Sequence, residues 1–294
     1  MIEISEFSKS YSGKILAVDK LSLSVSEGEI FGFIGPNGAG KTTTIRALVG
    51  HLKASNGRVV IFGKDAWSEG GEIRHRIGYL PGDLYLYKKE SARSLIGYFD
   101  KLRGVNTSSN LKLLAKRFDL DLDRPIGTLS KGNRQKVGLI QALCHDPDLL
   151  ILDEPTTGLD PLLQQEFLEI ISQIRDQGRT VFLSSHLLDE VERVADRIGL
   201  IQDGRLAQVV TVDELRAEAK QMIEICFDEP VSSAEFSNLE CVSNLNIDGN
   251  TLKCTTKGSI DALVKRAAKY TVIYIRSESQ DLEELFLDMY RKKD

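Results

Sequence analysis

Apolar positions change their period along this chain, and the changes divide it. From residue 1 to about 30, and again over Arg58-Val59-Val60-Ile61-Phe62-Gly63, apolar and polar residues alternate. That pattern predicts strands of a small antiparallel layer with one buried face. Residues 84–145 carry apolar groups mostly at helical spacing, interrupted by the polar run Asn106-Thr107-Ser108-Ser109-Asn110. Short continuous apolar runs then alternate with helical segments to about residue 215: a strand at 149–153, a helix at 162–177, a strand at 180–184 and a helix at 187–196. Continuous apolar strands suit burial on both faces, and strand–helix alternation predicts a parallel sheet flanked by helices. Ile198 to Leu206 reads as a hairpin around an Asp203-Gly204 turn.

Beyond residue 221 the pattern begins again. Strands at Met222–Phe227, Thr251–Thr255 and Thr271–Arg276 alternate with helices at 259–269 and 280–291. Two domains are therefore expected. Residues 1–215 form one, with a helical subdomain at about 84–145, and residues 221–294 form a small α+β domain.

Chemistry enters at residues 35–42, Gly-Pro-Asn-Gly-Ala-Gly-Lys-Thr, which fit the phosphate-loop pattern. The strand-like segment Glu29–Ile34 precedes them and a helical segment, Thr42 to Val49, follows. A loop in that setting aims backbone N–H groups and a helix N-terminus at one point, as a polyphosphate requires. Gly35, Gly38 and Gly40 let the backbone approach the phosphates, and Pro36, Asn37, Ala39 and Thr43 complete the loop. Lys41 is expected to reach the β- and γ-phosphates, and the Thr42 hydroxyl to sit on Mg2+. This is a nucleoside-triphosphate site.

The apolar run Leu149-Leu150-Ile151-Leu152 ends in Asp153-Glu154-Pro155. A carboxylate closing a central parallel strand lies beside the phosphate loop, so Asp153 is expected to hold Mg2+, directly or through water. Glu154, one residue further, is expected to be the general base or to orient the attacking water. The alternative is an acid pair that only caps a helix, and paired acids at the end of a buried strand are costly without a task.

With these residues in place, the chain resembles the ATP-binding subunits of ABC transporters. Leu129-Ser130-Lys131-Gly132-Asn133 is similar to that family's signature loop, with Ser130 and Gly132 at the matching positions. Gly158-Leu159-Asp160-Pro161 is similar to its dimer-contact loop. His186, in Leu183-Ser184-Ser185-His186, matches its switch histidine, and Tyr11 matches the aromatic that stacks on adenine. The motifs cover about residues 1–215. The resemblance implies a P-loop NTPase core with an antiparallel β layer and a helical subdomain. It also implies ATP and Mg2+ as cofactors, and a signature loop that closes over ATP held by a second ATP-binding subunit. A separate integral membrane permease would be the further partner, met near residues 83–103, where Tyr85 and Tyr87 are the candidates for exposed contacts. The location implied is the cytoplasmic face of the cell membrane, and the ending Leu282 to Tyr290, with Leu282, Leu285, Phe286 and Met289 on one helical face, is similar to exporter-type tails. Read without the resemblance, Ser130 is a helix N-cap, His186 a strand-end histidine and Tyr11 a packing residue.

Two departures stand out. Gly82 follows Ile77-Gly78-Tyr79-Leu80-Pro81 where the family has Gln, and Asp83 or a water is expected to take over its oxygen. Lys131 and Asn133 replace the commonest Gly and Gln of the signature loop, a change that leaves backbone contacts to phosphate intact.

Bulk properties restrict the alternatives. In 294 residues, 28% charged and 41% hydrophobic, no apolar run reaches the ~18 residues of a membrane span. The opening Met1-Ile2-Glu3-Ile4 reads as a strand rather than a signal peptide. Cys144, Cys226, Cys241 and Cys254 lack metal spacing and read as free thiols. A net charge of −5 supplies no basic footprint, so no nucleic acid partner is expected. A soluble ABC-type ATPase of translation or DNA repair is the competing function. The two ATPase halves, coiled-coil insertions or basic patches usual there are not visible.

Overall fold

The computed structural model of the protein describes residues 1–11, 15–218 and 220–279. The chain divides into two compact units, Met1–Val209 and Val210–Asp294. The first begins with β1 (Ile2–Tyr11), β2 (Ile15–Val25), β3 (Ile30–Ile34), α1 (Lys41–Leu48), β4 (Asn56–Ile61), β5 (Lys64–Asp65), α2 (Gly70–Ile73) and β6 (Ile77–Leu80). Next come α3 (Ala92–Arg103), α4 (Ser108–Arg117), α5 (Lys131–Leu143), β7 (Leu149–Asp153) and α6 (Pro161–Asp176). Then follow β8 (Thr180–Ser185), α7 (Leu188–Glu192), β9 (Arg197–Gln202) and β10 (Arg205–Thr211).

The alternating segments form an antiparallel sheet in the order β2-β1-β4-β5. Ile2, Ile4 and Phe7 point into the core, and an irregularity at Glu6 (φ +49°) resets the alternation between Ile4 and Phe7. The continuous apolar runs form a six-stranded sheet, order β10-β9-β3-β8-β7-β6, parallel from β9 to β6. Every residue of β3, β7 and β8 is buried, as the unbroken apolar runs require. Asp203 and Gly204, both at positive φ (48° and 79°), make the turn from β9 to β10.

Two expected boundaries move. The helix expected over 187–196 stops at Glu192, because Asp196 is tied to Ile30 by its own N–H (2.9 Å) and by its carboxylate (2.8 Å), which starts β9 alongside β3. The polar run 106–110 is less an interruption than the start of α4: Asn106 Oδ1 accepts the Ser108 N–H, and Asp100 accepts the Thr107 N–H and hydroxyl.

Beside β6, His145 Nε2 contacts the Ile77 carbonyl at 3.2 Å, while its buried Nδ1 has no hydrogen-bond partner. Burial, with the Arg103 charge added, lowers its pKa from 6.5 to about 4. The unfolded chain therefore binds more protons between those values. Stability is complete above pH 6.5 and falls as the pH drops toward 4. Between pH 7 and pH 5 the loss is expected to be about 1 kcal/mol after allowance for solvent screening. Urea midpoints of the parent and His145→Gln at both pH values check this: the variant should lose most of the difference.

The second unit holds α8 (Val212–Glu218), β11 (Lys220–Phe227), β12 (Val242–Asp248), β13 (Thr251–Lys257), α9 (Asp261–Ala267) and β14 (Val272–Ser279). Its antiparallel sheet has the order β12-β13-β11-β14, over a core of Ile223, Ile225, Phe227, Phe236, Leu252 and Leu263. The expected strands fall within β11 and β13 and, apart from Thr271, within β14, whereas β12 was not anticipated. The helix expected over 280–291, with Leu282, Leu285, Phe286 and Met289, lies outside the described residues. The four cysteines are free. Among the described residues no helix is long and apolar enough to cross a membrane.

Candidate functional site

Strand order assembles the site. β8 lies between β3 and β7, pairing Ile34 with Ser185 on one side and Asp153 with Ser184 on the other. The loop after β3, the acids after β7 and the histidine after β8 therefore leave the sheet at neighbouring carboxyl ends, where open α/β sheets bind ligands. There Ala17, Pro36, Asn37, Gly38, Gly40, Lys41, Thr42, Thr43 and Glu154 line a pocket of about 280 Å³. Gly40 caps α1 at φ +108°, and a Cβ on it would lie 2.7 Å from the Ala17 carbonyl oxygen, so only glycine fits. Gly40, Lys41, Thr42 and Thr43, at the start of α1, line this pocket, and the N–H groups of such a helix start suit an anion.

Lys41 is buried. Its ammonium donates to the Gly35 carbonyl (2.5 Å) and the Pro36 carbonyl (3.3 Å), and lies 3.4 Å from Glu154 Oε1. The other Glu154 oxygen is 2.6 Å from His186 Nδ1. Glu154 itself sits at φ +51°, a left-handed conformation that costs a non-glycine residue about 1 kcal/mol. Its N–H is shared between the carbonyl and the hydroxyl of Ser184, each at 3.2 Å. Glu154 Oε1 is buried without a hydrogen bond, so the Lys41 charge is what compensates it.

Asp153 is fully buried. Thr42 Oγ1 donates to its Oδ2 at 2.8 Å, and Ser184 Oγ donates to its Oδ1 at 2.6 Å. Burial and the Asp153 charge raise the Tyr79 phenol to about 12, which keeps it neutral. Thr42 and Asp153 offer one hydroxyl and one carboxylate, hard oxygen donors that suit Mg2+ when phosphate and water fill the remaining positions. Among the described residues no group of three or more His, Cys, Asp or Glu side chains is placed to hold a metal.

Other predicted residues lie outside this pocket. Ser130 caps α5, accepting the Asn133 N–H at 3.2 Å, and Gly132 packs so that a Cβ would meet the Gly158 carbonyl oxygen at 2.7 Å. Asp160 caps α6 through the N–H groups of Leu162 and Leu163. The start of α5, at Ser130 and Gly132, thus lies against the loop at Gly158, and none of Ser130, Gly132 or Asp160 lines the pocket. Tyr11 is exposed, 5.7 Å from the Lys9 ammonium, and is not a lining residue either. Gly82 lies against Asp153, where a Cβ would be 3.1 Å from Oδ2, and Asp83 is exposed. Ala17 and Ser184 were not anticipated. The Ser184-Ser185 pair before His186 was the only signal for the second, and Ala17 had none.

A phosphate loop on a central parallel strand, with acids closing a neighbouring strand, defines a P-loop nucleoside-triphosphate-binding protein. Comparisons then specify it. The model of the family described as ABC transporter matches residues 18–157. The uncharacterized ABC transporter ATP-binding protein YhcH of Bacillus subtilis is 33% identical over 294 residues, covering 98% of this chain and 95% of that protein. The bacitracin transport ATP-binding protein BcrA of Bacillus licheniformis is 35% identical over 227 residues, 76% of this chain and 74% of its own. A solved structure described as an ATP-binding subunit of an ABC transporter superposes with a TM-score of 0.69 at 29% identity, over 74% of this chain and 92% of the other. The chain belongs to the ABC transporter family of ATP-binding proteins and is an ABC-type ATPase.

Proposed function

We propose that the chain is the ATP-hydrolysing subunit of an exporter whose membrane permease is a separate polypeptide, and that two copies close over two ATP. The observation that carries the chemistry is the contact line from Lys41 through Glu154 to His186 at 3.4 and 2.6 Å, next to the Thr42–Asp153 hydrogen bond. The loop Gly35-Pro36-Asn37-Gly38-Ala39-Gly40, with Thr43, holds the phosphates through backbone N–H groups. A γ-phosphate competes with Glu154 for Lys41, which leaves the Glu154 carboxylate to accept a proton from the attacking water. His186 holds that carboxylate and faces the γ-phosphate. Thr42 and Asp153 hold Mg2+, which supplies positive charge for the leaving group. Tyr11 offers its exposed ring to adenine.

Ser130, Gly132 and Asp160 are used in trans. Within their own chain the Ser130 and Asp160 side chains cap helices at the surface, and the first turn of α5, after the Ser130 cap, offers its positive end to a second chain's nucleotide. The permease is met at Tyr85 and Tyr87, which are 92% and 69% exposed, while Leu95 and Ile96 next to them fill the core. Export is supported by the relative named for bacitracin transport.

The test is capture of tagged Glu154→Gln, loaded with ATP, from detergent-solubilised native membranes, with companions identified by mass spectrometry. A stoichiometric polytopic membrane protein is expected, and Tyr85→Ala/Tyr87→Ala should lose it. Recovery with ribosomes, with DNA or with no companion would favour the soluble ATPase instead.

A further inference from the structure

We propose that Ser184 is a positioning residue of the hydrolytic site: one buried hydroxyl sets both the carboxylate of Asp153 and the backbone of Glu154. The sequence around it makes the hydroxyl unusual. Val181, Phe182 and Leu183 fill β8 with apolar side chains, and Ser184 is as fully buried as they are. A hydroxyl in such a strand costs free energy unless it is hydrogen-bonded.

Here the hydroxyl both donates and accepts, and each bond reaches a residue of the site. The Ser184 O–H donates to Asp153 Oδ1 at 2.6 Å, within the short range of charge-assisted bonds. Its oxygen accepts the Glu154 N–H at 3.2 Å, beside a second bond from that N–H to the Ser184 carbonyl. Strand order provides the occasion, since β8 pairs Ser184 with Phe33 at the end of the phosphate-loop strand and with Asp153 on the other side.

The consequences are geometric. With Oδ1 held by Ser184 and Oδ2 by Thr42, the Asp153 carboxylate cannot rotate about its last torsion without breaking a bond. Oδ2 is thereby presented on the side where Gly82 contributes no side chain, a Cβ there being 3.1 Å away. The second bond holds Glu154 in its left-handed conformation, which aims its carboxylate between Lys41 and His186. Outer-shell partners of this kind orient a ligand without touching the metal or the substrate.

The test rests on the assignment of Thr42 and Asp153 to Mg2+, and separates its failure from that of Ser184. Binding of a fluorescent ATP analogue is titrated with Mg2+, and repeated in EDTA, for the parent, Ser184→Ala, Ser184→Thr and Asp153→Asn. Ser184→Ala is expected to need ~10- to 100-fold more Mg2+ for half-maximal effect, to keep its EDTA affinity, and to lose kcat by a similar factor with little change in KM. Ser184→Thr, which retains the hydroxyl, should restore the parent titration. A Mg2+ titration of Ser184→Ala that superposes on the parent overturns the proposal, as does a parallel loss of EDTA affinity, which marks general distortion. If Ser184→Ala does not fold, Ser184→Cys keeps the volume with a weak donor, and an unshifted titration there overturns it equally. An unchanged Asp153→Asn titration removes the metal assignment and the proposal together. A shifted Asp153→Asn with an unshifted Ser184→Ala removes only the role of Ser184.

Discussion

Glu154→Gln is expected to reduce ATP turnover by about 10³-fold, roughly 4 kcal/mol of activation free energy, while ATP still binds. The substitution is nearly isosteric, so the left-handed backbone at 154 and its bonds to Ser184 should persist. What disappears is the carboxylate charge between Lys41 and His186, and with it the capacity to take a proton. The phosphate loop, Thr42 and Asp153 are untouched, so nucleotide affinity with Mg2+ should equal that of the parent or exceed it. Single-turnover hydrolysis and equilibrium nucleotide binding on the same preparation check both halves. Turnover within a few-fold of the parent would move the base to another group.

Lys41→Ala has the opposite signature: binding is lost first. Among the described residues the ammonium is the one buried cation of the pocket lining, held by the Gly35 and Pro36 carbonyls and facing Glu154. Removing it takes away a charge-assisted contact to phosphate, and ATP affinity is expected to fall about 100-fold, near 3 kcal/mol. It also leaves the buried Glu154 Oε1 without the charge that compensates it, so the variant should be less stable at neutral pH. Titration with a fluorescent nucleotide measures the first effect and a thermal melt without nucleotide the second. Lys41→Arg should not rescue binding, because the larger planar head must fit where the ammonium is already enclosed by backbone.

Much of this arrangement was legible in the sequence, for identifiable reasons. Glycines at fixed spacing between an apolar strand and a helix require a phosphate loop wherever they fold. Acids that end an unbroken apolar strand must emerge at the carboxyl edge of a parallel sheet. Asp153 beside Thr42 follows from those two patterns, whereas His186, which meets Glu154, was singled out by the family resemblance. Ser184 was not legible, because its importance depends on β8 lying between β3 and β7, and residue periodicity does not reveal strand order. β12 escaped notice because Val242-Ser243-Asn244-Leu245-Asn246-Ile247-Asp248 is a largely exposed edge strand in which polar residues dominate. The early end of α7 is a tertiary effect, set by the bonds between Asp196 and Ile30. Ser130, Gly132 and Asp160 are legible as helix-start and loop residues, but a contact supplied to another chain cannot assemble within one.

That last point leads to the decisive measurement, the solution mass of Glu154→Gln by light scattering, with and without Mg2+ and ATP. A site shared between two chains requires the mass to double from one chain to two when ATP is added, and to return when the nucleotide is removed. Gly132→Asp, which places a negative charge where the second chain's phosphates should sit, should block the doubling while ATP binding to the phosphate loop persists. A mass of one chain at saturating ATP, with ATP demonstrably bound, would contradict the shared site and leave a nucleotide pocket that works within a single chain.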